Sequence, residues 1–367
     1  MTGIYVHIPF CVKKCNYCDF ASYPQKLSQQ DEYITALIGE MEQYKGTKAD
    51  TVYIGGGTPS VLSWENTNRL ICAINETFNL ADDTEFTIEV NPKTIDKPKT
   101  ELLRSLGVNR ISIGSQSFCN DELKTLGRIH TAEDTVATYE ILKNAGFENI
   151  SLDLMYALPG QTMDSLGTSV ERLLKLNPQH ISCYGLKIEE GTPFCSMLKN
   201  GEIAETDEDT FADMYEYIRK ELFKAGYIHY EISNFAKEGR ESRHNLKYWQ
   251  NEDYLGFGLC ASSKVANRRF THSADFDEYI SSYKLSEDYT MDKEEAMDEF
   301  IILGLRVINF GVDKQKFHDT FGVSVDDRYK DVIKEVSPYV TNTHNALKLQ
   351  ADAALISNSI MSRFMGE

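Results

Sequence analysis

The stretch IYVHIPFCVKKCNYC, residues 4–18, determines how the rest of the chain is interpreted. Its first part, Ile4–Ile8, is rich in β-branched and aromatic residues, which favours a strand. Cys11, Cys15 and Cys18 follow in a C-x3-C-x2-C spacing. Thiolates are the usual protein ligands of iron–sulfur clusters, and three of them leave one iron of a four-iron cluster open for a small molecule. We therefore expect a [4Fe-4S] cluster on the loop after the first strand.

Zinc is the main alternative metal for these three cysteines. A structural zinc site is closed by four ligands, often supplied as two separate pairs, and no second pair follows the first three cysteines. The remaining cysteines are scattered singly along the chain and do not form the dense pattern of a disulfide framework. This pattern predicts a cytoplasmic protein in a reducing compartment. They are Cys72, Cys119, Cys183, Cys195 and Cys260.

Strand-like and helical stretches alternate over the first two-thirds of the chain. Helices are predicted over Ser28–Tyr44, with Ser28 as the N-cap, and over Ala132–Ala145, before Gly146. This alternation predicts an α/β fold with a parallel sheet, either open or a complete or partial barrel, and places functional residues at the C-terminal ends of the strands. The predicted strands are Ile4–Ile8, Thr51–Ile54, Glu85–Val90, Arg110–Gly114, Ile150–Tyr156 and His180–Leu186.

The pattern changes after about residue 235, where we predict a division into domains 1–235 and 236–367. The second domain is expected to be smaller and mainly helical, with a small hairpin. A helix is predicted over Thr290–Phe310, and a strand, a turn and a short helix over Leu347–Phe364.

Composition limits the classes of partner. The formal net charge is −18 and no Lys/Arg run occurs, which argues against a nucleic-acid partner. No apolar run is long enough to span a membrane, and the N-terminus lacks the pattern of a signal peptide. The sequence leaves a monomer and a homodimer open.

Polar residues and glycines follow the predicted strands. Gly55–Pro59 has the sequence GGGTP, in which glycines would let a ligand approach the backbone, although a tight turn has the same composition. Glu89 and Gln116 come at the ends of two further strands. Asp153 lies in an otherwise apolar strand, where the alternative to a ligand contact is a buried salt bridge.

Together these motifs resemble those of radical S-adenosylmethionine proteins, and most closely the group that contains oxygen-independent coproporphyrinogen III dehydrogenases and haem chaperones. The matching stretches include YVHIPFC, GGGTP, IEVNP, GSQSF, LGR and DLMYALPGQT. The resemblance implies a partial (β/α)6 barrel and binding of S-adenosylmethionine beside the cluster. The residues that it implies as contacts are Tyr5, Gly56, Gly57, Thr58, Glu89, Gln116, Arg128 and Asp153.

Within that group the sequence favours a haem chaperone over an enzyme. The dehydrogenases resemble C-x3-C-x2-C-x-C, whereas Phe20 stands at the last position here, and only ten residues precede Cys11. The expected function is to bind haem and pass it to an unidentified acceptor apoprotein. The alternative is the oxidative decarboxylation of coproporphyrinogen III in porphyrin biosynthesis.

His244 is the expected haem contact. The stretch His244–Trp249, HNLKYW, resembles a motif of the haem chaperones, and histidine is the commonest protein ligand of haem iron. From the residues alone, a hydrogen-bonded histidine in an inter-domain loop is the alternative. Cys260, in a loop that departs from the family pattern, is a second candidate ligand.

Overall fold

The computed structural model describes residues 1–366, and its strands form one large and one small sheet. The large sheet contains β1 (Thr2–Ile8), β2 (Lys48–Gly56), β3 (Asn79–Val90), β4 (Arg110–Gln116), β5 (Asn149–Tyr156), β6 (His180–Gly185), β7 (Ile228–Glu231), β8 (Asn234–Ala236), β9 (Tyr254–Phe257), β10 (Ser262–Val265), β11 (Arg268–His272) and β12 (Leu285–Thr290). The small sheet contains β13 (Val312–Asp313), β14 (Val340–Asn342) and β15 (Ala346–Leu349).

Helices connect most of these strands. They are α1 (Gln30–Glu42), α2 (Trp64–Thr77), α3 (Lys97–Ser105), α4 (Asn120–Thr125), α5 (Ala132–Asn144), α6 (Met163–Leu176), α7 (Pro193–Lys199), α8 (Glu208–Lys224), α9 (Arg243–Trp249), α10 (Phe276–Ser282), α11 (Lys293–Leu305), α12 (Lys314–Phe321), α13 (Val325–Arg328), α14 (Lys330–Glu335) and α15 (Ser357–Met361). No helix in residues 1–366 is both long and apolar enough to cross a membrane.

The large sheet is a partial barrel. Strands β1 to β6 pair in chain order and are all parallel, as right-handed βα units require. Strand β9 adds a parallel partner to the outer edge of β1, and β8 pairs antiparallel with β6. The full order is β12-β11-β10-β9-β1-β2-β3-β4-β5-β6-β8-β7, and no pairing between described strands joins its two ends. The predicted α/β class and partial barrel are confirmed.

The predicted elements differ from the observed ones mainly at their boundaries. All six predicted strands are present. The helix predicted over Ser28–Tyr44 begins at Gln30, because a 3-10 turn starting at Pro24 runs through Ser28. Ser28 is therefore not the N-cap, which is Gln29, without a side-chain hydrogen bond. The helix predicted over Thr290–Phe310 is α11, which Asp292 opens with a capping box.

The residues after 290 have a hydrophobic core of their own, built around buried aromatic side chains of α11, α12 and the loop before α14. The predicted strand, turn and helix after Leu347 are β15, a 3-10 turn and α15. Strands β9–β12, which come before this core, extend the large sheet. The domain division predicted at residue 235 stays a prediction.

Candidate functional site

A cavity of about 560 Å³ opens at the C-terminal edge of the parallel strands. This volume falls within the roughly 300–1,000 Å³ of small-molecule sites. The loops after β1 to β6 supply its walls, because parallel strands all point their carboxyl ends to the same edge. Among the predicted site residues it is lined by Cys11, Cys15, Cys18, Gly56, Gly57, Thr58, Glu89, Gln116, Arg128 and Asp153.

The three predicted cluster ligands are free thiols on one loop of this cavity. The loop is fixed by Asn16, whose backbone N–H donates to the Leu126 carbonyl (2.9 Å) and whose side-chain amide donates to the Thr125 carbonyl (2.8 Å). Within residues 1–366, no three His, Cys, Asp or Glu side chains are placed to hold a single metal ion. A four-iron cluster binds each thiolate at a separate iron, and the donor set fits that chemistry.

A chain of polar contacts connects two of the cysteines across three strand ends. The Cys11 sulfur lies 3.4 Å from the Thr58 hydroxyl, which accepts a hydrogen bond from the Asn91 amide (2.8 Å). Arg128 donates to the side-chain Oδ1 of Asn91 (2.6 Å) and to the Cys15 sulfur (3.5 Å). These contacts fix the cluster loop relative to the sheet. The sequence analysis did not single out Asn91, although it is part of the IEVNP motif.

The glycines of GGGTP make close contacts with the protein itself. A Cβ on Gly57 would lie 2.7 Å from the Phe10 carbonyl oxygen and 3.1 Å from the Cys11 sulfur. Gly56 has φ +108°, and a Cβ there would lie 2.5 Å from the His7 ring. The glycines therefore let the second loop pack against the cluster loop, which is a different reason from the ligand approach that the sequence suggested.

Glu89 is held as a hydrogen-bond acceptor at the cavity wall. The Tyr53 hydroxyl donates to one carboxylate oxygen (2.7 Å) and the Gly56 N–H to the other (3.1 Å). Burial raises the pKa of Glu89 to about 7, and the charge of Asp153 also raises it, against the opposing effect of these hydrogen bonds.

Asp153 is the second acidic group of the wall. Burial raises its pKa to about 6, while hydrogen bonds from Ser182 and Ser112 and the charge of Arg110 act in the opposite direction. The Ser112 hydroxyl donates to it at 3.3 Å. The salt bridge considered for Asp153 is not found among the described residues, so this carboxylate is free to accept hydrogen bonds from a ligand.

Of two other predicted S-adenosylmethionine contacts, Gln116 lines the cavity and Tyr5 does not. Gln116 lines the cavity with φ +64°, a left-handed backbone that costs energy for a side chain with a Cβ. Tyr5 lies outside the lining and donates to or accepts from the His7 ring at 3.0 Å. Burial raises the pKa of Tyr5 well above its ordinary value, and the charge of Glu89 adds to this effect.

His244 lies away from this cavity, in helix α9 rather than in a loop. It is 1% exposed, and both ring nitrogens are hydrogen-bonded, to the Thr51 hydroxyl (2.9 Å) and the Tyr248 hydroxyl (2.8 Å). Its ring stacks on Tyr53 at 5.3 Å between centroids. Burial lowers the pKa of His244 to about 3, so the ring is neutral. Cys260 likewise lies outside the cavity lining.

A polar layer lies beneath the two acidic groups inside the barrel, and sequence reasoning missed it. Arg110 at the start of β4 pairs in register with Thr87 of β3, two residues before Glu89. Side chains alternate between the two faces of a strand, so Thr87 and Glu89 point to the same face. Arg110, which pairs with Thr87, therefore lies one layer below Glu89 inside the barrel. The layer is completed by neutral pairs, Thr51 with His244 and Ser151 with His180. The polar residues that alternate with apolar ones inside these strands are the sequence signal that could have revealed this layer.

Comparison with known families agrees with this architecture. The profile of the Radical SAM superfamily matches residues 5–173, and that of the HemN C-terminal domain matches residues 291–340. The solved structure of coproporphyrinogen III oxidase (HemN) from Escherichia coli, described as a radical SAM enzyme, superposes with a TM-score of 0.86, covering 100% of this chain and 90% of that one at 22% identity. The chain thus has the fold of a radical SAM enzyme, and residues 5–173 match the profile of the Radical SAM superfamily.

More similar relatives identify the family to which the chain belongs. The chain is 39% identical to the haem chaperone HemW of Lactococcus lactis, over 98% of this chain and 96% of the relative. It is 37% identical to the haem chaperone HemW of Bacillus subtilis, over the whole of both chains. The chain belongs to the HemW family.

Proposed function

We propose that this protein is a haem chaperone, which binds haem and transfers it to an acceptor protein. The observation that carries this proposal is the similarity to haem chaperones along the entire chain, at 39% identity for the Lactococcus relative. We also propose that the cavity at the sheet edge binds a [4Fe-4S] cluster and S-adenosylmethionine, which the radical SAM family implies.

The cavity residues have suitable chemistry for these groups. Cys11, Cys15 and Cys18 would hold the cluster, leaving one iron for the amino acid part of S-adenosylmethionine. A reduced cluster can supply one electron to the sulfonium of bound S-adenosylmethionine. Glu89 and Asp153, as hydrogen-bond acceptors, would orient hydroxyl and amino groups of the ligand.

Oxidative decarboxylation of coproporphyrinogen III is the alternative function. The fold it requires is present, but a fold shared at 22% identity does not decide between the two activities. Phe20 occupies the position where the dehydrogenases have an additional cysteine, and its side chain is 64% exposed beside the cluster loop. This residue supports the chaperone function.

Haem titration under anaerobic conditions tests the proposal. We expect the cluster-reconstituted wild type to bind one haem per chain saturably, seen as a Soret band, and to pass it to an apo-haem protein. Unsaturable binding, together with carbon dioxide release from coproporphyrinogen III, would replace the chaperone function with the enzymatic one.

The role of His244 as haem ligand remains part of the proposal and has a matched control. Both of its nitrogens are occupied, so iron binding there requires that α9 exchanges its hydrogen bonds for iron. His180 is equally buried and bonded, to Ser151 (2.7 Å) and Tyr230 (2.8 Å). If His244 is the ligand, His244→Ala abolishes the ligand-specific Soret shift and His180→Ala does not. Equal effects of the two variants would assign His244 a structural role.

A cytoplasmic location, the absence of a nucleic-acid partner and a homodimer as an alternative to the monomer stay predictions. All eight cysteines, each within residues 1–366, are free thiols, which supports a reducing compartment.

A further inference from the structure

A second cavity lies between helix α9 and the C-terminal core. Its volume is about 660 Å³, comparable to that of the cluster cavity. Its walls come from the end of α9, from α11, from the loop before β13, and from α12 and β15. Trp249, the last residue of the HNLKYW motif, faces this cavity, whereas His244 of the same helix faces the barrel interior. The motif therefore borders two different spaces.

Aromatic rings form much of the wall. Trp249, Phe300 and Phe310 all line the cavity. Phe310 is 49% exposed, so part of its apolar surface is open to a ligand. The Arg306 guanidinium lies 4.3 Å from the Trp249 ring centroid and closes the other side of that ring. A flat apolar ligand would gain contact with these rings by stacking or edge packing.

Two lysines of the wall carry charges that no carboxylate neutralises within the described residues. The Lys316 ammonium donates to the Gln250 carbonyl (2.8 Å), and the Lys348 ammonium donates to the Asn309 carbonyl (2.6 Å). Carbonyl oxygens are neutral acceptors, and each ammonium group has three N–H donors. Both lysines therefore retain donors and full charge for an anionic ligand.

The same wall carries two acidic residues. Asp313 caps α12 by accepting from the Lys316 backbone N–H (2.9 Å), a neutral donor, and Glu252 accepts from Lys247 (2.9 Å). The two lysines without an ion-pair partner lie in the same cavity wall as the aromatic rings. They can pair with two carboxylates of a flat apolar molecule.

We propose that this second cavity binds the porphyrin ring of haem, with Lys316 and Lys348 holding its two propionates. The inference rests on the proposed function and specifies where the haem ring is held. Among the described residues that line the cavity, none is histidine, cysteine or methionine, so haem held here has no iron ligand from the lining. This inference and an iron bond to His244, which faces the barrel interior, are therefore alternatives.

Metal-free protoporphyrin IX tests this directly. Its binding to the wild-type protein is followed by porphyrin fluorescence, in parallel with its dimethyl ester, in which both carboxylates are blocked. We expect protoporphyrin to bind at one per chain and to compete with hemin, and the ester to bind at least about tenfold more weakly, as loss of charge-assisted hydrogen bonds predicts.

The lysines have matched controls on the same structural unit. Lys316→Ala/Lys348→Ala should weaken protoporphyrin binding about tenfold or more and leave the ester unaffected. The control Lys330→Ala/Lys334→Ala removes two exposed lysines of α14 and should change neither. Circular dichroism and S-adenosylmethionine binding confirm that each variant is folded.

The outcomes separate the two proposals. If hemin binds saturably but protoporphyrin does not, or if the ester and the lysine variants bind like their references, the cavity is not the porphyrin site and the chaperone function stands. If neither hemin nor protoporphyrin binds, the proposed function fails and this inference fails with it.

Discussion

At the scale of single residues, the buried positive charge of Arg110 is the one that most needs an explanation. It is 2% exposed, and its Nε atom has no hydrogen-bond partner. A buried cation without a close counter-ion is costly. Its charge lowers the pKa of Glu89 and Asp153 one layer above, against the larger effect of their burial. We interpret Arg110 as a positioning residue that increases the ionised fraction of these two carboxyl groups.

Replacing Arg110 by methionine should shift the pH dependence of S-adenosylmethionine binding to higher pH. The wild-type pKa values are about 7 for Glu89 and about 6 for Asp153. Loss of the cation raises both, so a larger fraction of each carboxyl is protonated at pH 7 and becomes ionised as pH rises. Calorimetric Kd values should be about tenfold weaker in the variant near neutral pH and converge with those of the wild type at alkaline pH.

Arg110→Lys is the control, because it keeps the charge and should restore the wild-type profile. The ratio of variant to wild-type Kd cancels the titration of S-adenosylmethionine itself. A ratio for Arg110→Met that stays constant across the pH range would show that the arginine acts only through packing.

Ten of the eleven residues predicted to hold the cluster or S-adenosylmethionine line the cavity, but their mutual contacts were not predicted. Cysteines, glycines and acidic residues at strand ends can be recognised locally, since strand ends converge in any parallel sheet. The contact between Asn91 and Arg128 joins residues on different loops, and the position of Arg110 beneath Glu89 follows from strand register. Register and loop contacts depend on tertiary pairing, which one sequence does not encode in a local pattern.

At the scale of secondary-structure elements, a buried ion pair joins helix α1 to strand β11. The His272 ring lies 2.7 Å from a Glu40 carboxylate oxygen, and its other nitrogen faces the Ala261 carbonyl at 3.2 Å. Both partners are acceptors, so the ring donates from both nitrogens and is protonated. Burial alone would lower the pKa of His272, but the hydrogen bond and charge of Glu40 outweigh it, and the pKa is raised.

His272→Gln should destabilise the protein more at mildly acidic pH than at alkaline pH. A histidine with a raised folded-state pKa contributes stability below its unfolded pKa, near 6.5, and this contribution is lost as pH rises through the folded value. We expect a loss of about 2–3 kcal/mol near pH 6, measured by urea unfolding, and a smaller loss at pH 9. The control His318→Gln changes an exposed histidine of α12. Equal losses at both pH values would show that His272 is neutral.

The elements themselves were predicted unevenly for a physical reason. The six parallel strands were found because each is a short run rich in β-branched or aromatic residues, bounded by Gly, Pro or polar residues. The pairing of β9 with β1 was not predicted, because it joins Gly3 to Tyr254, which are far apart in the sequence. His244 lies in helix α9 and not in the inter-domain loop that was the alternative to a haem contact. The N-terminus of α9 is held by Glu85 through the N–H groups of Arg243 (3.1 Å) and His244 (3.0 Å).

At the scale of the whole molecule, the described residues form a large hydrophobic core, a small core and a third cluster of four buried residues. The large core lies between the sheet and its helices, and the small core surrounds Phe317 after residue 290. The cluster cavity is built only from the loops of the large sheet, whereas the second cavity needs both α9 and the C-terminal unit. Loosening the small core should therefore affect the two ligands differently.

Phe317→Ala tests this division. Phe317 is fully buried, and its truncation leaves a space worth about 3–5 kcal/mol in the small core. We expect faster hydrogen exchange across residues 291–366, weaker protoporphyrin binding, and an S-adenosylmethionine Kd within about twofold of the wild type, since cores that do not share contacts respond independently. The matched variant Phe147→Ala, in the large core, should instead speed exchange in strands β1–β6 and weaken S-adenosylmethionine binding. If Phe317→Ala disturbs both ligands and both regions equally, the chain unfolds as one cooperative unit, and haem binding and cofactor binding are coupled through it.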